Sequence, residues 1–153
     1  IPDSVQMWAT PSVSLGVASP HVIDVAAAYA TFAANGVYAK PFDVKEVLGA
    51  NQGVLYESRI QAQQVFAANV MADLTYALQG VVKYGTGTAA AVGLNRPIAG
   101  KTGTTTDNAS AWFNGYTPQL ATSRRDTTAR SHFARVMMPP PDERSGSSET
   151  RGG

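Results

Sequence analysis

The densest run of chemistry-bearing residues is Gly100-Lys101-Thr102-Gly103-Thr104-Thr105, followed after a short interval by Ala111-Trp112-Phe113-Asn114-Gly115-Tyr116. Lys101 supplies a cation for a carboxylate or for proton transfer. The hydroxyls of Thr102 and Thr104 can hydrogen-bond an acyl group from either side, as donor or acceptor. Gly103 lets a ligand approach the backbone closely, because no Cβ holds it off. An isolated Lys-Thr-Gly arises readily wherever a strand passes into a turn, so its weight depends on the residues around it.

Two nucleotide chemistries compete for the same glycines. Gly100-Lys101-Thr102 ends like a phosphate-binding P-loop, which requires a glycine at position 95; that residue is Asn95, and Pro97 stiffens the approach. Gly85-Thr86-Gly87-Thr88-Ala89-Ala90 fits a relaxed dinucleotide fingerprint, with Asp107 at a plausible distance downstream. The stretch before it has a helical pattern, so the strand-turn-helix frame is missing and this remains a weak alternative. A serine acyltransferase needs Ser-x-x-Lys, which puts hydroxyl and amine on one helix face so that the amine can take the hydroxyl proton. No serine here has a lysine three positions on, and no Ser-x-Asn occurs.

The elements that must carry these residues follow from periodicity. Ser19-Pro20 suits a helix start, and Val22, Val25, Tyr29 and Phe32 form a helical stripe that Asn35-Gly36 ends. His21, in the first turn, is expected to be solvated or capping. Val44 to Leu48 and Val54 to Glu57 flank a Gly/Asn loop, which predicts a hairpin. Phe66, Val70, Leu74 and Leu78 predict a second helix over roughly Ala62 to Gln79, with Lys83 to Thr88 as a loop. Val13 to Gly16 suggests a short extended piece. The Lys-Thr-Gly strand is expected to pair with Ala111 to Tyr116 across the turn formers Thr105 to Ser110, and a third strand begins at Gln119.

Composition sets the outer bounds. The 153 residues make one domain or part of one, 44% apolar residues suffice for a core, and a net charge of +1 without a basic cluster gives nucleic acid nothing to bind. No apolar run is long enough to span a membrane and no signal peptide opens the chain, which begins at Ile1 as a partial chain would. There are no cysteines, and a zinc site would rest on His21 and His132 with carboxylates, so no cofactor or metal is expected. From Arg124 to Gly153 the chain carries ten charges in thirty residues, against thirteen in the preceding 123, with many Ser, Pro and Gly. Residues 124–153 are therefore expected to be a disordered tail.

Ser14-Leu15-Gly16, Ala28 to Ala33 with Asn35-Gly36, Gly53 to Tyr56, Gln79 to Val82 leading to Gly85-Thr86-Gly87, Ala99 to Thr105, and Ala111-Trp112-Phe113-x-Gly115-Tyr116-Thr117-Pro118 together resemble the C-terminal part of the transpeptidase domain of class A, bifunctional penicillin-binding proteins. The likeness runs from about Ser12 to Ser123. It implies an α/β (α+β) fragment of a penicillin-binding transpeptidase or serine β-lactamase-like fold, an antiparallel sheet with flanking helices.

The function so implied is a D,D-transpeptidase outside the cytoplasmic membrane, which cross-links peptidoglycan stem peptides and is acylated by β-lactams. Lys101 carries over as the catalytic cation, and Thr102, Gly103 and Thr104 as the substrate-holding strand. The nucleophile motifs would lie upstream of Ile1, making the missing N-terminal part of the domain a partner and this chain inactive alone. After position 123 the family continues with an apolar strand where this chain has Arg124-Arg125-Asp126, as a shifted reading frame would give. A non-catalytic interaction module that offers an open sheet edge to a partner is the alternative.

Overall fold

The computed structural model describes residues 10–16, 18–105, 107 and 109–138. Pro11–Leu15 form a 3₁₀ turn with proline near its start, where an extended piece was expected; Gly16 ends it at φ +86°. The first helix, α1 (Val22–Ala33), begins after His21, whose extended backbone stands in the N-cap position without a side-chain cap. His21 is largely exposed, with Nδ1 3.8 Å from Asp24. Asn35 (φ 54°) and Gly36 (φ 89°) take the left-handed conformations that end the helix. Gly36 is obligatory, since a Cβ there would lie 2.2 Å from the Phe66 carbonyl oxygen.

Next come β1 (Val37–Ala39), the hairpin β2 (Glu46–Leu48) and β3 (Val54–Glu57), and β4 (Ala62–Gln64). The hairpin is the one expected, with its register shifting between Val47 and Leu48. β4 corrects the second helix: Ala62 to Gln64 pair with β1, and α2 runs instead over Ala68–Tyr84. Two tertiary ties outweigh helical preference at 62–66. The Gln64 amide donates to the Asn35 and Phe66 carbonyls, and the Val65 and Phe66 amides donate to Gly36 O. At the other end Gly80 does not stop α2, because it is buried under the Tyr84 ring; Gly85 does.

The remaining strands form one antiparallel sheet in the order β5 (Ala99–Thr104), β6 (Ser110–Thr117), β7 (Leu120–Thr127) and β8 (Ser131–Met137). Ala99, Tyr116 and Ala121 are cross-strand neighbours, so they share one face. With Leu78 of α2 they make the core, joined by Tyr29, Phe32 and Leu74. Tyr29 meets Tyr116 edge-on at 6.2 Å and Phe32 at 5.3 Å. Such aromatic pairs contribute about 1 kcal/mol beyond the area they bury.

The sequence reading ends ordered structure at Arg124, and here the structure differs. β7 continues to Thr127, and β8 adds a fourth strand. The charges are accommodated by pairing rather than burial: Arg124 Nε lies 3.0 Å from Asp126, Ser131 donates to Asp126, and Arg125 stacks over Trp112 at 5.5 Å while donating to Ser110. Ala121 and Ser123, fully buried, fix the register between these polar positions. Thr127 and Arg130 close the turn with three mutual hydrogen bonds. The part of the expected tail from residue 139 onward lies outside the described residues.

Candidate functional site

β5 is an edge strand of the sheet, and the four residues singled out from the sequence occupy its last four positions. Pairing is continuous from Ala99↔Tyr116 to Thr104↔Ala111, which fixes Lys101 opposite Asn114 and Gly103 opposite Trp112. The sequence explains this tight pairing. A Cβ on Gly100 would lie 2.9 Å from Asn114 O and 3.0 Å from the Phe113 ring, and one on Gly115 would lie 2.9 Å from the same ring. Phe113 therefore packs over two glycines and clamps the two strands together.

Alternation puts Lys101 and Gly103 on the face of Ala99 and puts Thr102 and Thr104 on the other. Lys101 is exposed, and its ammonium donates back to the Thr102 carbonyl at 2.8 Å. Thr104 is exposed, and Thr102 is partly covered. Gly103 has ordinary room beside it: a Cβ there would meet only Trp112 Cβ, at 3.5 Å. The outer rim of β5 pairs with no strand among the described residues. Such a rim offers main-chain donors and acceptors to an extended peptide, with side chains of both faces beside it.

Three further residues belong to this surround. Asn114, opposite Lys101, accepts from Ser123 Oγ at 2.5 Å. Trp112, opposite Gly103, carries the Arg125 guanidinium. Thr86 lies 2.5 Å, hydroxyl to hydroxyl, from Thr102. Asn114 carried no sequence signal beyond its neighbours, Trp112 stands in the Trp112-Phe113-x-Gly115-Tyr116 run, and Thr86 sits in the Gly85-Thr86-Gly87-Thr88 run. That run follows α2 and opens a four-residue 3₁₀ turn (Thr88–Ala91), so no strand precedes it and no long helix follows. A cavity of about 380 Å³ lies behind the start of β5, between Val82, Lys83, Arg96 and Ile98; none of Lys101 to Thr104 lines it. The candidate site is thus an open strand edge. No cluster of metal-ligating side chains occurs among the described residues.

An antiparallel sheet with helices on its core face and a Lys-Thr-Gly edge strand defines a partial fold of the penicillin-binding transpeptidase and serine β-lactamase type. The sequence matches the penicillin binding protein transpeptidase domain over residues 10–124, and the chain belongs to that family as part of a class A penicillin-binding protein. It is 39% identical over 118 residues to penicillin-binding protein 1A of Mycolicibacterium smegmatis, covering 72% of this chain and 15% of the relative. Among solved structures, the PonA1 protein from Mycobacterium tuberculosis in complex with penicillin V is similar at 32% identity and a TM-score of 0.64, covering 83% of this chain and 32% of that one. Penicillin-binding protein 1A from Haemophilus influenzae shares the fold at 21% identity and a TM-score of 0.67, covering 72% of this chain and 22% of its own. The chain therefore spans about 15% of the length of the first curated relative it matches.

Proposed function

We propose that this chain forms the substrate-holding side of a D,D-transpeptidase site for peptidoglycan stem peptides, a site that β-lactams also occupy. The observation that carries it is the placement of Lys101 to Thr104 on an edge strand whose rim is unpaired among the described residues. An extended acyl peptide, or a β-lactam as its rigid analogue, would lie along that rim and exchange main-chain hydrogen bonds with β5. Gly103 leaves the approach open, Thr102 and Thr104 offer hydroxyls to carboxylate or carbonyl oxygens, and Lys101 places a cation beside the reacting acyl group. That the solved PonA1 protein is in complex with penicillin V supports the ligand class.

No Ser-x-x-Lys occurs in the 153 residues, so the acylated serine comes from a part of the domain outside them and this chain has no turnover alone. The exposed apolar residues Val54, Leu55 and Tyr56 of the hairpin support docking against that part. The relatives' class supports a site outside the cytoplasmic membrane; among the described residues no helix is long and apolar enough to cross one. The reading is tested in the domain carrying this segment together with its serine. Lys101→Ala should slow labelling by a fluorescent penicillin roughly 100-fold or more, the scale of a lost proton-transfer or charge-stabilising group. Labelling at the unsubstituted rate would remove Lys101 from the site.

A further inference from the structure

Gly85-Thr86-Gly87 ends α2 and brings Thr86 to the Thr102 hydroxyl. Both glycines are dictated by the end of α2. The Gly85 and Gly87 amides donate to the same acceptor, Val81 O, at 3.1 and 3.0 Å. A Cβ on Gly85 would lie 2.9 Å from Val81 O and Cα, and one on Gly87 would lie 3.3 Å from that oxygen and 3.6 Å from the Phe113 ring. The turn is therefore drawn tight over Val81 and against Phe113, the residue paired with Thr102. The single side chain between the glycines, Thr86, reaches the Thr102 hydroxyl at 2.5 Å.

We infer that Thr86 is a positioning residue of the Lys-Thr-Gly site, and that it sets the direction in which Thr102 presents its hydroxyl to a carbonyl or carboxylate oxygen of the acyl substrate. The inference rests on the transpeptidase reading and adds to it a residue from outside the strand. Two hydroxyls carry two protons. With Thr86 donating to the Thr102 oxygen, the Thr102 O–H remains for a ligand oxygen, and the bond that Thr102 accepts fixes and polarises it. Without Thr86 the Thr102 hydroxyl can rotate and donate elsewhere, and a bound oxygen must reorient it. Thr86 is itself exposed, so its hydroxyl is not required by the core.

The test uses the transpeptidase domain carrying this segment and its serine, labelled with a fluorescent penicillin. Thr86→Val keeps the shape and removes the hydroxyl; its labelling rate should fall about tenfold, the value of one well-placed hydrogen bond. Thr86→Ser should restore the rate to within about twofold. In a Thr102→Val background, Thr86→Val should have no further effect, because the hydroxyl it positions is gone. Unchanged labelling by Thr86→Val, equal losses in the Val and Ser variants, or a full further loss in the Thr102→Val background would each overturn the inference. If the unsubstituted, folded domain takes no label, the transpeptidase reading itself fails.

Discussion

Tyr116 ties the end of the Lys-Thr-Gly hairpin to both helices. Its ring is buried against Tyr29 of α1, and its phenol meets the Thr75 hydroxyl of α2 at 2.8 Å. Thr75→Val leaves that phenol without a partner in a covered position and should cost about 1–2 kcal/mol of stability. Tyr116→Phe removes the buried phenol itself and leaves only the half-buried Thr75 hydroxyl to find another partner, so it should cost less; denaturant titration of the two variants in the domain carrying this segment and its serine compares them. Burial raises the Tyr116 pKa above 10.0, an effect that the hydrogen bond with Thr75 opposes. Burial, and then the charge of Tyr116, raises that of Tyr29. The folded state therefore holds these protons more tightly than the unfolded state, so their contribution is intact below pH 10 and is lost as pH rises through the folded values. The thermal midpoint should fall above about pH 10, and Tyr29→Phe should flatten that fall. Measured in the domain that carries this segment and its serine, a midpoint that declines no more steeply in the unsubstituted protein than in the variant would contradict the assignment.

At the scale of elements, the left-handed Gly36 links α1 to the β1–β4 pair. Gly36→Ala adds a methyl against the Phe66 carbonyl at a positive φ, and should cost about 2 kcal/mol or more, measurable as a lowered thermal midpoint of the domain carrying this segment and its serine. An unchanged midpoint would mean that the turn relaxes without loss. This element was legible because Asn35-Gly36 is a local signal: the residues that stop a helix are written next to it. The same holds for the hairpin around Gly49 to Gly53 and for β5 with β6. What was not legible depends on side-chain contacts that the linear pattern does not show. Ala62 to Gln64 reads as the start of a helix until Gln64 is seen to bond Asn35 O, 29 residues away. Gly80 reads as a stop until Tyr84 is seen to cover it. β8 was hidden for a related reason, since composition counts charges but not the partners that Asp126 gives Arg124 and Ser131. Of the site, Lys101 to Thr104 stood out by type and spacing. Thr86 stood out only as part of the Gly85-Thr86-Gly87 run, because its role exists only once the turn after α2 brings it beside β5.

Taken as a whole, the molecule keeps a small core and leaves much apolar side chain outside it. Leu55, Tyr76, Tyr84 and Val92 are each more than 70% exposed, and β5 and β8 are edges of the four-stranded sheet. So many exposed apolar side chains, together with two open strand edges, favour coverage by another part of the domain. The chain by itself should therefore unfold without a sharp cooperative transition, and should gain one when the remaining part of the domain is present. Scanning calorimetry separates the two, and a sharp transition in the monodisperse chain alone would contradict the expectation. The transpeptidase reading, in which Lys101 to Thr104 hold a substrate for a serine supplied from elsewhere in the domain, meets its most direct test in covalent labelling. A fluorescent penicillin is applied to this chain and to a version extended upstream through its Ser-x-x-Lys segment, and the products are read by denaturing gel and intact mass. One adduct on the extended protein and none on the chain alone is the predicted result; a folded, extended protein that takes no adduct would contradict it.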